Sequence, residues 1–372
     1  MRRSLRKGFF VVLAVVLLGV LLYRFRGAIT LEGFRWQLLA ESVRQARLPL
    51  LLLSILVIYA CYAIRALRWK RFSRWLGPAT FFHVYSGTLM GFAAVFLLGR
   101  AGEPVRPLLI ARKDHLPVSG SFGIYVLERI MDASATAVLA GVALLIFPIR
   151  GVPGEQAGPL LAAARTTGVT LFIGLLALVS FLIYFWFRGA EALAPRLEAW
   201  RIHGGWRLKL ANLLEGFGEG LRAIRTWSDL FAAVGYTAAH WLLVVFVYLW
   251  VPRSFGGAFL AIDFGGAMLL LAFSMVGSTL QLPGVGGGTQ LAGFLVFTVI
   301  FGVEKEPAAA AAIVLWLVTF AASCLVGLPL LIREGWSMGE LRRLARAESE
   351  AESAGGHISL ENDPKHTGEV RR

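Results

Sequence analysis

The sequence predicts an all-α membrane protein: a polytopic transmembrane helical bundle of about seven to nine hydrophobic segments, two of them re-entrant or broken helix elements. Three observations predict it. Of 372 residues, 57% are hydrophobic and 16% charged, whereas a soluble domain averages about 25% charged. Apolar runs near the roughly 20 residues needed to cross hydrocarbon recur along the chain. Two runs are cut short by glycine, proline or charge.

The runs follow in order. Residues 8–23 (GFFVVLAVVLLGVLLY) come first, after MRRSLRK. No small-residue cleavage site follows them, so a retained helix is expected rather than a signal peptide. Residues 48–64 form the second run, 81–99 the third, 119–148 the fourth, 166–187 the fifth and 230–251 the sixth. Residues 257–282, 288–303 and 308–332 supply three more. Together, residues 1–332 read as one transmembrane region. Residues 333–372 read as a cytoplasmic, largely disordered tail, being polar and poor in large apolar side chains.

The formal charge of +14 also fits a nucleic-acid binder. The basic residues, however, sit in short links beside apolar runs, where membrane orientation requires them, and no nucleic-acid partner is expected. The N-terminal Arg2, Arg3, Arg6 and Lys7 and the link 65–74, with Arg65, Arg68, Lys70, Arg71 and Arg74, are assigned to the cytoplasm. Arg342, Arg343 and Arg346 place the C-terminus there too, whereas the Gly/Pro-rich 151–165 link faces outward. The basic segment 24–47 runs against this pattern.

Parity then constrains the middle. If 65–74 is inside and 151–165 outside, residues 81–118 must enter the membrane and return to the same side. Residues 81–99 are long enough to enter, and 103–111 are too short to span, so a re-entrant hairpin or broken helix pair is expected. A second interruption is QLPGVGGGTQ at 281–290, where Pro283 removes a backbone donor and Gly284, Gly286, Gly287 and Gly288 lower helix propensity. Irregular backbone at membrane depth is tolerated only where protein buries it or it lines a wet cavity. Paired interruptions point to a transporter's binding site. Residues 195–228 read as an amphipathic helix, either in the cytoplasmic interface or packed on the spans.

Ionisable groups inside spans usually pair or line a pathway. Glu128 and Asp132 are four apart on one helix face with Arg129 beside them, and Asp132 falls about 20 Å beyond Ser119, near mid-membrane. The broken motif GRAGEPVRPLLIAR adds Arg100, Glu103, Arg106 and Arg112. Gln281, Pro283, Gly284, Gly286 and Gly287 complete the candidate substrate-binding set: either backbone amides exposed there attract an anion, or the glycines serve a tight helix–helix approach. The charges either lock helices through buried ion pairs or bind an amphiphile headgroup, guanidinium forks taking phosphate and carboxylates pairing a cation or carrying a proton. Both readings stay open. His83, His115 and His240 show no metal-ligand spacing, and His240 reads as a core residue. Trp69, Trp75, Trp186, Trp227, Trp250 and Trp336 read as interfacial belt residues. Cys61 and Cys324 read as packing residues. No metal, nucleotide motif or cofactor is expected, and no nucleophile elbow or Ser/His/Asp set is present.

Where GEPVRPLLIAR is followed by ERIMDAS, and LPGVGGGTQ by a short apolar run, the chain resembles the membrane region of lysylphosphatidylglycerol synthases, the flippase-like domain proteins. The resemblance covers about residues 8–332. It implies a bacterial or archaeal inner-membrane protein that moves lipids between leaflets. It carries the family's charged motif onto Glu103, Arg106, Glu128, Arg129 and Asp132, and its Pro/Gly break onto Pro283, Gly284, Gly286 and Gly287. The synthases carry a large soluble domain that transfers lysine from tRNA; here about 40 polar residues follow Ile332, so synthase activity is not expected. The expectation is therefore a lipid translocase, passive or ion-coupled, with membrane lipids as substrate and lipid-biosynthesis enzymes as candidate partners. A membrane-embedded headgroup-modifying enzyme, or a secondary transporter of a small solute, remains the alternative.

Overall fold

The computed structural model describes residues 34–146, 226–278, 281–282 and 286–335, with the single positions 173, 224 and 339. The apolar runs 8–23 and 166–187, most of 195–228, Trp186, Trp336, and the tail beyond Gly335 but for position 339 lie outside the described residues, as do Pro283 and Gly284.

The described elements fall into two series of the same form. A short helix α1 (Trp36–Gln45) leads into α2 (Leu48–Ser73). Pro49 in its first turn costs no hydrogen bond, because that N–H has no helical partner. Then come α3 (Phe81–Leu98), a 3-10 turn (Gly99–Gly102), α4 (Val105–Lys113) and α5 (Val118–Ile146). The second series begins with α6 (Trp227–Arg253), whose start is fixed by a capping box between Thr226 and Asp229. It continues with α7 (Phe264–Gly277), capped by the Asp263 carboxylate accepting from Gly266 N–H at 2.7 Å. The strands β1 (Gln281–Leu282) and β2 (Gly286–Gly287) pair antiparallel, Gln281 opposite Gly287 and Leu282 opposite Gly286. Helix α8 (Gly288–Leu295) runs into a π-helical turn (Val296–Ile300). Finally α9 spans Lys305–Arg333, interrupted by a π-helical turn (Leu317–Ala321).

Each series is thus a long helix, a broken hairpin and a second long helix. Both expected interruptions are present as hairpins. At 1.5 Å per residue, the nine residues of α4 rise only about 14 Å and the fourteen of α7 about 21 Å, short of a crossing. The legs close tightly because glycines face the return strand. A Cβ on Gly91 of α3 would overlap Arg106 of α4, and one on Gly277 would overlap the Gly288 backbone. The two tips, Gly99–Gly102 and β1, meet each other. Four described helices, Leu48–Ser73, Phe81–Leu98, Trp227–Arg253 and Lys305–Arg333, are long and apolar enough to cross a membrane.

The two series run in opposite directions. Helices α2 and α6 pack side by side, with Arg47 N–H donating to the Ser254 carbonyl at 2.8 Å at one end and Arg71 paired to Asp229 at 2.8 Å at the other. Helix α5 packs on the second hairpin leg α7, and α9 reciprocally on the first hairpin leg α3. Exposed Leu52, Leu56, Phe231, Val276 and Leu325 cover the outside, while charge is held at the centre. This distribution suits a lipid surround and not water.

Two expectations are corrected here. Residues 65–73 are not a link: they are the last turns of α2, and Arg65 and Arg68 point inward. Trp69 is not at an interface, because it lies on the inner face of α2, 1% exposed, with the Arg106 guanidinium stacked 4.9 Å from its ring centroid.

Candidate functional site

The centre is built where α2, α4, α5 and α6 converge. The spacing of Glu128 and Asp132 puts both carboxylates on the face of α5 that meets α2. Arg65 and Arg68, three apart on α2, answer them. Arg65 donates from Nη1 to Glu128 Oε1 at 3.1 Å and from Nη2 to Asp132 Oδ2. Arg68 Nη2 reaches Glu128 Oε1 at 2.7 Å and Asp132 Oδ1 at 3.0 Å, and its Nη1 donates to Thr237 at 2.7 Å. Arg106, projecting from α4, donates to the other oxygen of Glu128 at 2.7 Å. Helix α6 closes the set: Trp241 Nε1 donates to Asp132 at 3.4 Å, and His240 Nε2 accepts from Arg65 Nε at 3.3 Å. Charge-assisted bonds of this kind are the strong class, and in a low-dielectric interior each depends on the others.

Beside this network lies a cavity of about 480 Å³. Its lining combines polar and charged side chains, Arg65, Glu103, Arg106, Arg129, Asp132 and His240, with apolar and aromatic ones, including Val244, Tyr248, Met275, Trp316 and Phe320. The charged lining residues all come from the first series, and the second series adds His240 and much of the apolar and aromatic lining.

The anticipated residues divide accordingly. Glu103, Arg106, Arg129 and Asp132 line the cavity; Glu103 accepts a hydrogen bond from the Tyr125 hydroxyl, and Arg129 lies 3.4 Å from Asp132. Glu128 is 1% exposed, does not line the cavity, and pairs only with guanidiniums. The locking and lining readings therefore apply to different members of one group. Arg112 is exposed and away from the cavity. Arg100 belongs to the first hairpin tip, and Gln281, Gly286 and Gly287 to the second. Gly287 takes a φ of +102° that favours glycine. Its N–H is bonded to the Gln290 side chain, so that amide is not open to an anion.

Arg65, Arg68, Trp241 and the joining role of His240 escaped sequence reasoning. A pair of arginines at the end of an apolar run carries the same signal whether it faces the cytoplasm or the core. The one available cue was helical spacing: Arg65 and Arg68 share a face with Cys61, which a solvated link would not require.

The fold and this centre define a multi-pass helical membrane protein with buried charge beside an amphipathic cavity. The chain belongs to the lysylphosphatidylglycerol synthase TM region family, whose model matches residues 10–327. No curated protein and no solved structure matches it significantly.

Proposed function

We propose that the protein is an inner-membrane lipid translocase that moves an amphiphile with a polar or charged headgroup between leaflets, passively or coupled to an ion. The observation that carries this reading is a single cavity lined both by buried charge and by apolar and aromatic side chains. A polar headgroup joined to the start of a hydrocarbon region matches such a mixed lining. The volume falls within the roughly 300–1,000 Å³ of small-molecule sites, enough for a headgroup and its glycerol while the chains stay in lipid. Two opposed series whose broken hairpins meet at a central site are also the architecture on which alternating access is built. Family membership supports the same reading. A headgroup-modifying enzyme is the weaker reading, since Glu128 and Asp132 are tied to guanidiniums and not offered as acid–base groups.

The test is lipid movement in proteoliposomes made with the full chain. Labelled lipid in the outer leaflet is expected to become protected from a membrane-impermeant quencher faster than in protein-free vesicles. The gain should fall at least tenfold with Arg106→Ala and with Phe320→Ala, one charged and one aromatic lining residue. If no lipid outpaces the protein-free control, the proposal is wrong. Mass spectrometry of the recovered lipid separates the readings, because an enzyme changes the species and a translocase only their sidedness.

A further inference from the structure

We infer that the headgroup this cavity takes is an oxyanion, specifically the phosphate ester of an anionic lipid, and not a cationic aminoacylated one. The inference rests on the translocase reading for the lipid part, and on two observations at the cavity wall for its sign.

The first is hydrogen-bond capacity. Among the described residues, the buried side-chain polar atoms that have no protein partner and belong to residues lining the cavity are Arg106 Nε and Nη2, Arg129 Nε, His240 Nδ1 and Trp316 Nε1. Because His240 Nε2 already accepts from Arg65, the ring proton sits on Nδ1. All five positions are therefore N–H donors, and no acceptor stands among them. Arg106 is 97% buried by its 3% exposure, so its free N–H groups have no bulk water to turn to. A buried donor left unmade is costly, and what satisfies it must accept. A phosphate diester offers only acceptors, and guanidinium forks match its geometry. The lysyl ester keeps this phosphate diester and adds ammonium groups, which offer only donors and would meet donors.

The second is charge. Four guanidiniums, Arg65, Arg68, Arg106 and Arg129, meet three carboxylates, Glu103, Glu128 and Asp132, among the described residues. Glu128 and Asp132 are surrounded by arginine, and Glu103 already holds the Tyr125 hydroxyl. The cavity lining thus carries one positive charge in excess; of its two carboxylates, Asp132 is held by guanidiniums, and Glu103 keeps one oxygen beside the bond it accepts from Tyr125. Arg129 is the group best placed to supply the missing contact. Its side chain is 38% exposed, it lies over the Tyr125 ring, and its one ion pair is the longest in the cluster at 3.4 Å.

The experiment compares four probes on the purified full chain, read by quenching of Trp241 and Trp316 at the cavity: dihexanoyl phosphatidylglycerol, its lysyl ester, dihexanoylglycerol and inorganic phosphate. The anionic lipid is expected to bind at least tenfold more tightly than the lysyl ester and the neutral lipid. Arg129→Gln should remove that preference, and Arg129→Lys should restore part of it. Arg129 is chosen because Arg106→Gln breaks a buried ion pair and risks the fold. Equal or tighter binding of the lysyl ester overturns the inference, as does an unchanged preference in Arg129→Gln. Phosphate that binds and is not displaced by the lipid assigns the oxyanion site to a free anion and overturns the lipid part. Failure here is distinct from failure of the translocase: a lysyl ester that moves as fast as the anion defeats only the sign, whereas an anion that binds but does not move defeats only the transport.

Discussion

At the scale of single residues, the buried charge is arranged so that two roles are kept apart. Glu128 takes three arginines and faces no cavity, while Asp132, Arg65 and Arg106 are shared between the lock and the cavity wall. Removing one partner of a buried pair leaves a desolvated charge, at a cost of about 3–5 kcal/mol. Arg68→Met is therefore expected to lower stability by about that amount, because Glu128 and Asp132 both lose a contact. The peripheral pair of Lys113 with Glu334 is more accessible, and Lys113→Ala should cost less than about 1 kcal/mol. Thermal unfolding of the two variants in one detergent checks the ordering; a Lys113→Ala loss as large as that of Arg68→Met would contradict it. The residue scale also shows what was legible. Glu128, Arg129 and Asp132 stand out in an apolar run because nothing else there is charged. Arg65 and Arg68 do not, because basic residues at a helix end are expected on orientation grounds alone. His240 is a lone histidine until α6 is laid against α2.

At the scale of elements, the hairpins depend on how closely two helical legs approach. Gly91 and Gly277 sit where a side chain would collide with the return leg. Gly235, in contrast, has nothing within 4 Å of a Cβ and lies inside α6. The same substitution should then act in opposite directions. Gly91→Ala is expected to destabilise by about 1–3 kcal/mol through overpacking. Gly235→Ala should stabilise by about 0.5–1 kcal/mol through helix propensity. A shared sign in thermal melts would mean that the close approach of α3 and α4 is not limited at Gly91. The hairpins themselves were legible from length: a return leg of nine residues cannot span, and neither propensity nor packing alters that. The extent of α2 was not. Its last turns carry four basic residues, and only the carboxylates of α5 and Asp229 of α6 make an inward helix there favourable.

At the scale of the whole molecule, the two series are related by opposed direction, with α2 against α6 and each hairpin packed by the long helix of the other series. This arrangement gives a topological prediction. Single cysteines at Arg47 and Ala258, introduced in a chain with Cys61 and Cys324 replaced, should label from one side of the membrane. Cysteines at Arg74 and Trp227 should label from the other, both judged with an impermeant maleimide in oriented vesicles. Labelling of Arg47 and Arg74 from a common side would rule out α2 as a crossing helix. The two series also contribute unequally to the cavity lining. The first series contributes charge from α4 and α5, and the corresponding helices of the second, α8 and α9, contribute Thr289, Trp316 and Phe320.

The sequence by itself determined the membrane class, the two broken elements and the membership of Glu103, Arg106, Arg129 and Asp132 in a central group. Each follows from local physics: hydrocarbon thickness sets the run length, glycine and proline interrupt helices, and an isolated charge among apolar residues cannot hide. Only the tertiary structure decided that Arg65 and Arg68 face the core, that Trp69 carries Arg106, and that the two series oppose each other. Those outcomes depend on which partner lies across a helix interface. A residue's own neighbours in the chain do not report that, because an arginine reaching water and an arginine reaching a buried carboxylate occupy the same kind of position until the second helix is in place.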